Sequence, residues 1–182
     1  IGGDIQVYAG TTTEPNSFRA TGGLIAMYTG YSKFTTSGLF TLDTSNAGAL
    51  GVSGGIHFTT GTTSRGNSGI YTLITGNANC GSGGNIELMV GTGNSGDGGD
   101  VLVRAGESTA NVMVGGKVNI FGGLGSSDDS RLGGDGGRVE IFGGEGRGKF
   151  ALTDVGGNVE ITGGLASSST GGSFVYTSGY GA

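Results

Sequence analysis

Residues 156–164 read GGNVEITGG: two glycines, then Asn158, Val159, Glu160, Ile161 and Thr162, then two more glycines. Val159 and Ile161 alternate with polar neighbours, and a period of two places both on one side of an extended backbone. Glycine at each end reaches the φ > 0 angles of a sharp bend without steric cost. The stretch therefore predicts one short strand, about 20 Å long, with a corner at either end.

The pattern recurs along the whole chain. In words it is Gly or Ser, Gly, any, apolar, any, apolar, any, small, and usually Gly. Copies begin at Gly2, Gly22, Ser37, Ser53, Ser68, Gly83, Gly98, Gly115, Gly136, Gly156 and Gly171, in steps of 15 to 21 residues. The alternating segment keeps its length while the loops absorb the variation, as stacked repeats do. The inward pairs run from Ile5/Val7, Ile25/Met27 and Phe40/Leu42 through Ile86/Leu88 and Val118/Ile120 to Val159/Ile161 and Phe174/Tyr176. They are rich in the β-branched and aromatic residues that strands favour. No segment carries a helical period.

These observations predict an all-β fold over residues 1–182 as one repeat array: a β-solenoid of about eleven short Gly-bracketed strands in two facing sheets. Two motifs would then form one coil of about 30 to 40 residues. An antiparallel meander, folded over as a sandwich, is the alternative. Few Asn-Gly or Asp-Gly hairpin signals occur, which favours the solenoid. The chain starts at Ile1 and both ends fall inside the repeat, so a section of a longer chain or assembly is expected.

Composition bounds the function. Forty-five glycines and one proline, Pro15, would read as disorder without a period; with one, the expectation turns to a repeat. The net charge of −5 and scattered basic residues argue against nucleic acid. No run of 18 apolar residues exists, so no membrane span is expected. Cys80 is the one cysteine, which excludes an internal disulfide; its plain reading is an unpaired thiol, and a cross-link between chains is the sharper one.

The outward side carries the candidate contact residues. The last outward site of each segment includes Tyr8, Tyr28, Ile74, Met89, Phe121 and Phe142, more apolar than a fully solvated face. Three readings follow: cover by loops bearing Phe18, Phe34, Leu50, Met113, Leu132 and Phe150; packing against another subunit; or a stacking platform for sugars.

Catalytic chemistry has little foothold. His57, the sole histidine, sits at an outward position with no partner that sequence supplies, and catalysis needs an oriented partner and a nucleophile. Glu87, Glu140 and Glu160 share the middle outward site and would suit glycoside chemistry as a carboxylate pair, but they recur because the repeat recurs. No cofactor is expected. The one cation reading is Ca²⁺ at Asp128, Asp129 and Asp135 in the loop SSDDSRLGGDGG, whose plain reading is a solvated turn. Zinc-ligand spacing is absent.

The segments GGDIQVYAG, GGDVLVRAG, GGKVNIFGG, GGRVEIFGG and GGNVEITGG resemble the Gly-rich β-repeats of extracellular proteins of microalgae and of phage tail-fibre shafts. That resemblance covers nearly the whole chain and implies extracellular fibres, hairs, walls or adhesins, with no catalytic residues to carry over. The expected function is therefore a non-enzymatic, extracellular structural protein that forms or extends a filament with copies of itself. A glycan-binding adhesin or tail-fibre module is the alternative.

Overall fold

The computed structural model describes residues 3–13, 21–149 and 154–179. The chain divides into two units, Ile1–Glu87 and Leu88–Ala182.

The expected fold is not the one observed. Among the described residues there is no helix and no strand. A β-solenoid of eleven strands in two facing sheets is therefore excluded, and so is the antiparallel meander sandwich. No described residue is buried, apolar or polar. The accessible surface is 19035 Å² for a mass of 17.8 kDa, where a compact monomer of that mass exposes about 8000 Å². Coil, bends and turns make up the described chain.

The physical reason lies in the balance that the repeat was expected to tip. Each motif offers only two apolar side chains to a core, separated by loops rich in glycine, the residue that loses most backbone freedom on ordering. Apolar residues make up 34% of the chain. At that level the burial available does not offset the ordering of every loop, which is the reason low-hydrophobicity segments stay unordered. The unpaired backbone groups meet solvent and so carry no desolvation cost.

Local alternation is nevertheless present. Side chains two apart on the outward side touch each other: the Tyr8 hydroxyl donates to Gln6 Oε1 at 2.5 Å, and Arg138 Nη1 lies 3.3 Å from Glu140 Oε1. The Thr162 hydroxyl similarly donates to Glu160 Oε1 at 3.4 Å. These contacts bring residues two apart together on a common side of the backbone in these three segments. At residues 139–142 exposure follows the same alternation. Val139 and Ile141 are 48% and 63% exposed, against 82% for Phe142 beside them. The loop residues Phe34, Leu50, Met113 and Leu132 are themselves exposed and form no cover; Phe18 and Phe150 lie outside the described residues.

Order concentrates at the base of the loops. The second bracket residue of each copy meets the eighth or ninth position of the copy before it. A methyl group placed on Gly23 would lie 3.1 Å from Ala9 Cβ, on Gly38 3.2 Å from Thr29 Cβ, on Gly69 3.6 Å from Thr60 Cβ, and on Gly116 3.3 Å from Ala105 Cβ. Six of these junctions carry a backbone hydrogen bond: Gly23 N–H to Gly10 O, Gly38 to Gly30, Gly116 to Gly106, Gly137 to Gly123, Gly157 to Gly144 and Gly172 to Gly164, at 2.8–2.9 Å. Each bond closes a loop on itself. The two sides of a loop run in opposite senses at its base, and at one of them the Phe58 and Tyr71 rings approach to 6.3 Å between centroids, tilted by 35°.

The junctions also correct the expected role of the bracketing glycines. Among the described residues, positive φ occurs at Gly66, Gly96 and Val112, all in loops and none in a bracket. The brackets are thus not left-handed corners. At some of them glycine is required because two backbones approach closely. A Cβ on Gly122, Gly143 or Gly163 would overlap the carbonyl oxygen of Gly137, Gly157 or Gly172 respectively.

Candidate functional site

The six candidate contact residues are divided between the two units. Tyr8, Tyr28 and Ile74 belong to the first unit, Met89, Phe121 and Phe142 to the second, and all six are exposed. The Tyr8 hydroxyl is engaged by Gln6. None of the four aromatic rings takes part in a ring pair; the pair observed among the described residues is Phe58 with Tyr71, on the inward side. Exposed single rings supply area for a contact but no preformed platform. Sequence reasoning passed over the Phe58–Tyr71 pair as a unit because it joins two consecutive copies across a loop. The signal that would have found it is two aromatic inward residues flanking a short loop.

The His57 imidazole lies against the backbone of Gly55, two residues earlier on the same side; a methyl group on Gly55 would sit 3.3 Å from its Nε2. Among the described residues no hydrogen bond or ion pair reaches His57. Glu140 pairs with Arg138, and Glu160 accepts from Thr162, so these carboxylates interact with neighbours on their own segments. Cys80 is a free, exposed thiol.

The acidic loop is the best organised of the candidate regions. Asp129 Oδ1 accepts the backbone N–H of Arg131 and of Leu132, each at 2.8 Å. The Asp129 N–H is 3.4 Å from Ser127 Oγ, and Gly134 N–H donates to Ser127 O at 3.5 Å. Aspartate here folds the chain back on itself by bonding the backbone two and three residues ahead, as it does in turns. The backbone N–H of Arg131, with that of Leu132 second, holds the Asp129 carboxyl below the usual carboxylate range. Among the described residues no group of three or more His, Cys, Asp or Glu side chains is placed to hold a metal ion. Asp128, Asp129 and Asp135 are not gathered into a cage, and one Asp129 oxygen is already occupied by two amides.

A pH dependence follows with a definite sign. The folded-state carboxyl of Asp129 titrates lower than the unfolded one, so its contribution to the turn is present above the unfolded value. That contribution is lost as pH falls through the folded value. The Arg131 and Leu132 amide resonances are expected to shift together with the Asp129 carboxyl on acidification, and Asp129→Asn to weaken that coupling. An NMR titration in which both amides stay fixed while Asp129 protonates would contradict the turn.

No helix among the described residues is long and apolar enough to cross a membrane. Comparison with family models, with curated protein sequences and with solved structures yields no match. The functional reading therefore rests on the residues and their placement.

Proposed function

We propose that this chain is an extracellular, non-enzymatic structural protein that assembles with copies of itself into a filament or fibre. One observation carries the reading. Every repeat carries an apolar pair at alternating positions, and among the described residues none of those pairs is buried. Apolar area in water is a driving force for association, and soluble monomers rarely leave contiguous apolar patches open on this scale. The repeat supplies the same offer many times per chain, which suits an assembly with many weak, equivalent contacts. The acidic balance, with a net charge of −5, leaves no basic surface to favour a polyanion instead. The resemblance to Gly-rich repeats of extracellular fibres supports the location.

Mechanically, such a chain bears load through many closed loops in series. The glycine junctions open locally, and the assembled contacts share the strain.

Sedimentation velocity over a wide concentration series, with electron microscopy of the same samples, tests the proposal. Mass action requires large species to grow in with concentration, and elongated particles are expected at the top of the series. A single slow monomer boundary throughout, with an empty field of view, would refute self-assembly.

A further inference from the structure

We propose that the main chain rearranges spontaneously at Asp97–Gly98, through a cyclic imide to isoaspartate, and that Asp135–Gly136 is held back from the same reaction. The tetrapeptide Gly-Asp-Gly-Gly occurs at residues 96–99 and again at residues 134–137. Local sequence therefore gives both sites the same reacting atoms, and the chain path around them decides which one reacts.

The reaction needs only water. The Gly98 nitrogen bonds to Asp97 Cγ, while the hydroxyl of the carboxyl group and the amide proton leave as water. This closes an imide ring through Asp97 Cα, Cβ and Cγ, its carbonyl carbon and that nitrogen. Water then adds to one of the two imide carbonyls. Opening at Cγ restores aspartate. Opening at the former main-chain carbonyl breaks its bond to nitrogen and leaves that carbon as a free carboxyl group. The chain then runs through Cβ and Cγ and is one carbon longer, with no change in mass. No oxidant, reductant or cofactor enters.

Glycine after the aspartate opens the way to the ring. It has no Cβ beside the attacking nitrogen and adopts unusual backbone angles without steric cost. The attack also needs rotation about the aspartate ψ, one of the two soft torsions of the residue, because ψ sets where the next nitrogen lies relative to Cγ. That rotation carries the following two glycines with it.

The two sites differ in how free this rotation is. Around Asp97 the chain is open. Asp97 is exposed, and a Cβ on Gly98 would find nothing within 4 Å. Gly96 takes a φ of 84°. Gly99 faces the Val90 side chain rather than backbone, and among the described residues no backbone hydrogen bond closes the loop between them. Around Asp135 the backbone is held. Gly137 N–H donates to Gly123 O at 2.8 Å, and Gly134 N–H to Ser127 O at 3.5 Å. A Cβ on Gly125 would overlap the Asp135 carbonyl oxygen. Turning ψ at Asp135 breaks the Gly137–Gly123 bond, whereas turning ψ at Asp97 breaks none.

Incubation of the full chain in dilute neutral buffer tests the proposal, with isoaspartate followed at each site by electron-transfer fragmentation in a mass spectrometer. Asp97 is expected to convert about two- to tenfold faster than Asp135, the factor that one backbone hydrogen bond supplies. In concentrated urea the two rates are expected to converge, because the tetrapeptide is the same. Gly98→Ala should slow conversion at Asp97 and leave Asp135 as it was. Equal rates in the native chain, faster conversion at Asp135, a difference that survives in urea, or isoaspartate at neither site would overturn the inference.

Discussion

Gly143→Ala opens the loop between Gly144 and Gly157, while Gly144→Ala leaves it closed. The two glycines are neighbours in sequence and differ in what a side chain would meet. A Cβ on Gly143 would overlap the carbonyl oxygen of Gly157; a Cβ on Gly144 finds nothing within 4 Å. The obstacle at Gly143 is backbone, which cannot rotate aside as a flexible side chain does. Overpacking of this kind costs about 1–3 kcal/mol, and the Gly157 N–H to Gly144 O bond of 2.8 Å that closes the loop contributes only about 0.5–1.5 kcal/mol. The strain therefore matches or exceeds the bond. The Gly157 amide is expected to lose its protection from hydrogen exchange in Gly143→Ala and to keep it in Gly144→Ala. Gly122→Ala and Gly163→Ala belong with the first variant, for the same reason. Gly69→Ala, with Thr60 Cβ at an ordinary 3.6 Å, belongs with the second. Equal exchange in all of them would remove close approach as the reason for the bracketing glycines.

At concentrations where the chain is monomeric, scanning calorimetry is expected to find no cooperative unfolding peak. A compact domain of 182 residues absorbs about 130 kcal/mol at its midpoint, at ~0.7 kcal/mol per residue. That heat comes from buried surface and internal hydrogen bonds broken together, and no described residue of this chain is buried. The six glycine junctions lie in separate loops, so each opens independently of the next, and independent openings give a broad baseline. Raising the concentration until the chain assembles should bring a transition into view, because the contacts that melt are then between chains. A sharp endotherm of full size in dilute solution would show that the single chain has a cooperative core after all.

The two predictions bear on how far a period alone can be read. Val159 and Ile161 alternate with Asn158, Glu160 and Thr162, and the Thr162–Glu160 bond places those outward side chains on one side as the alternation requires. The segment nevertheless forms no strand. Alternation is a property of five residues, whereas a ladder needs a second segment held alongside long enough to offset its own ordering. The composition, with 45 glycines, carried that information and outweighs the repeat. Among the candidate residues, Tyr8, Tyr28, Phe121 and Phe142 are exposed, but so are the inward pairs, so place in the motif did not set them apart. The Asp129 turn was not legible either, because three nearby carboxylates look alike in sequence; only the chain path shows which of them bonds backbone amides.

What the sequence determined by itself is local: the eleven copies, the side of the backbone on which each residue falls, the acidic balance, and the small residues at every bracket. These follow from covalent spacing and residue size, which need no distant partner. The tertiary structure decided why the brackets are glycine, since Gly137, Gly157 and Gly172 meet the preceding copy through their backbones rather than through left-handed corners. It decided also that the apolar pairs stay open in the single chain, because burial depends on what lies alongside and each loop here closes only on itself.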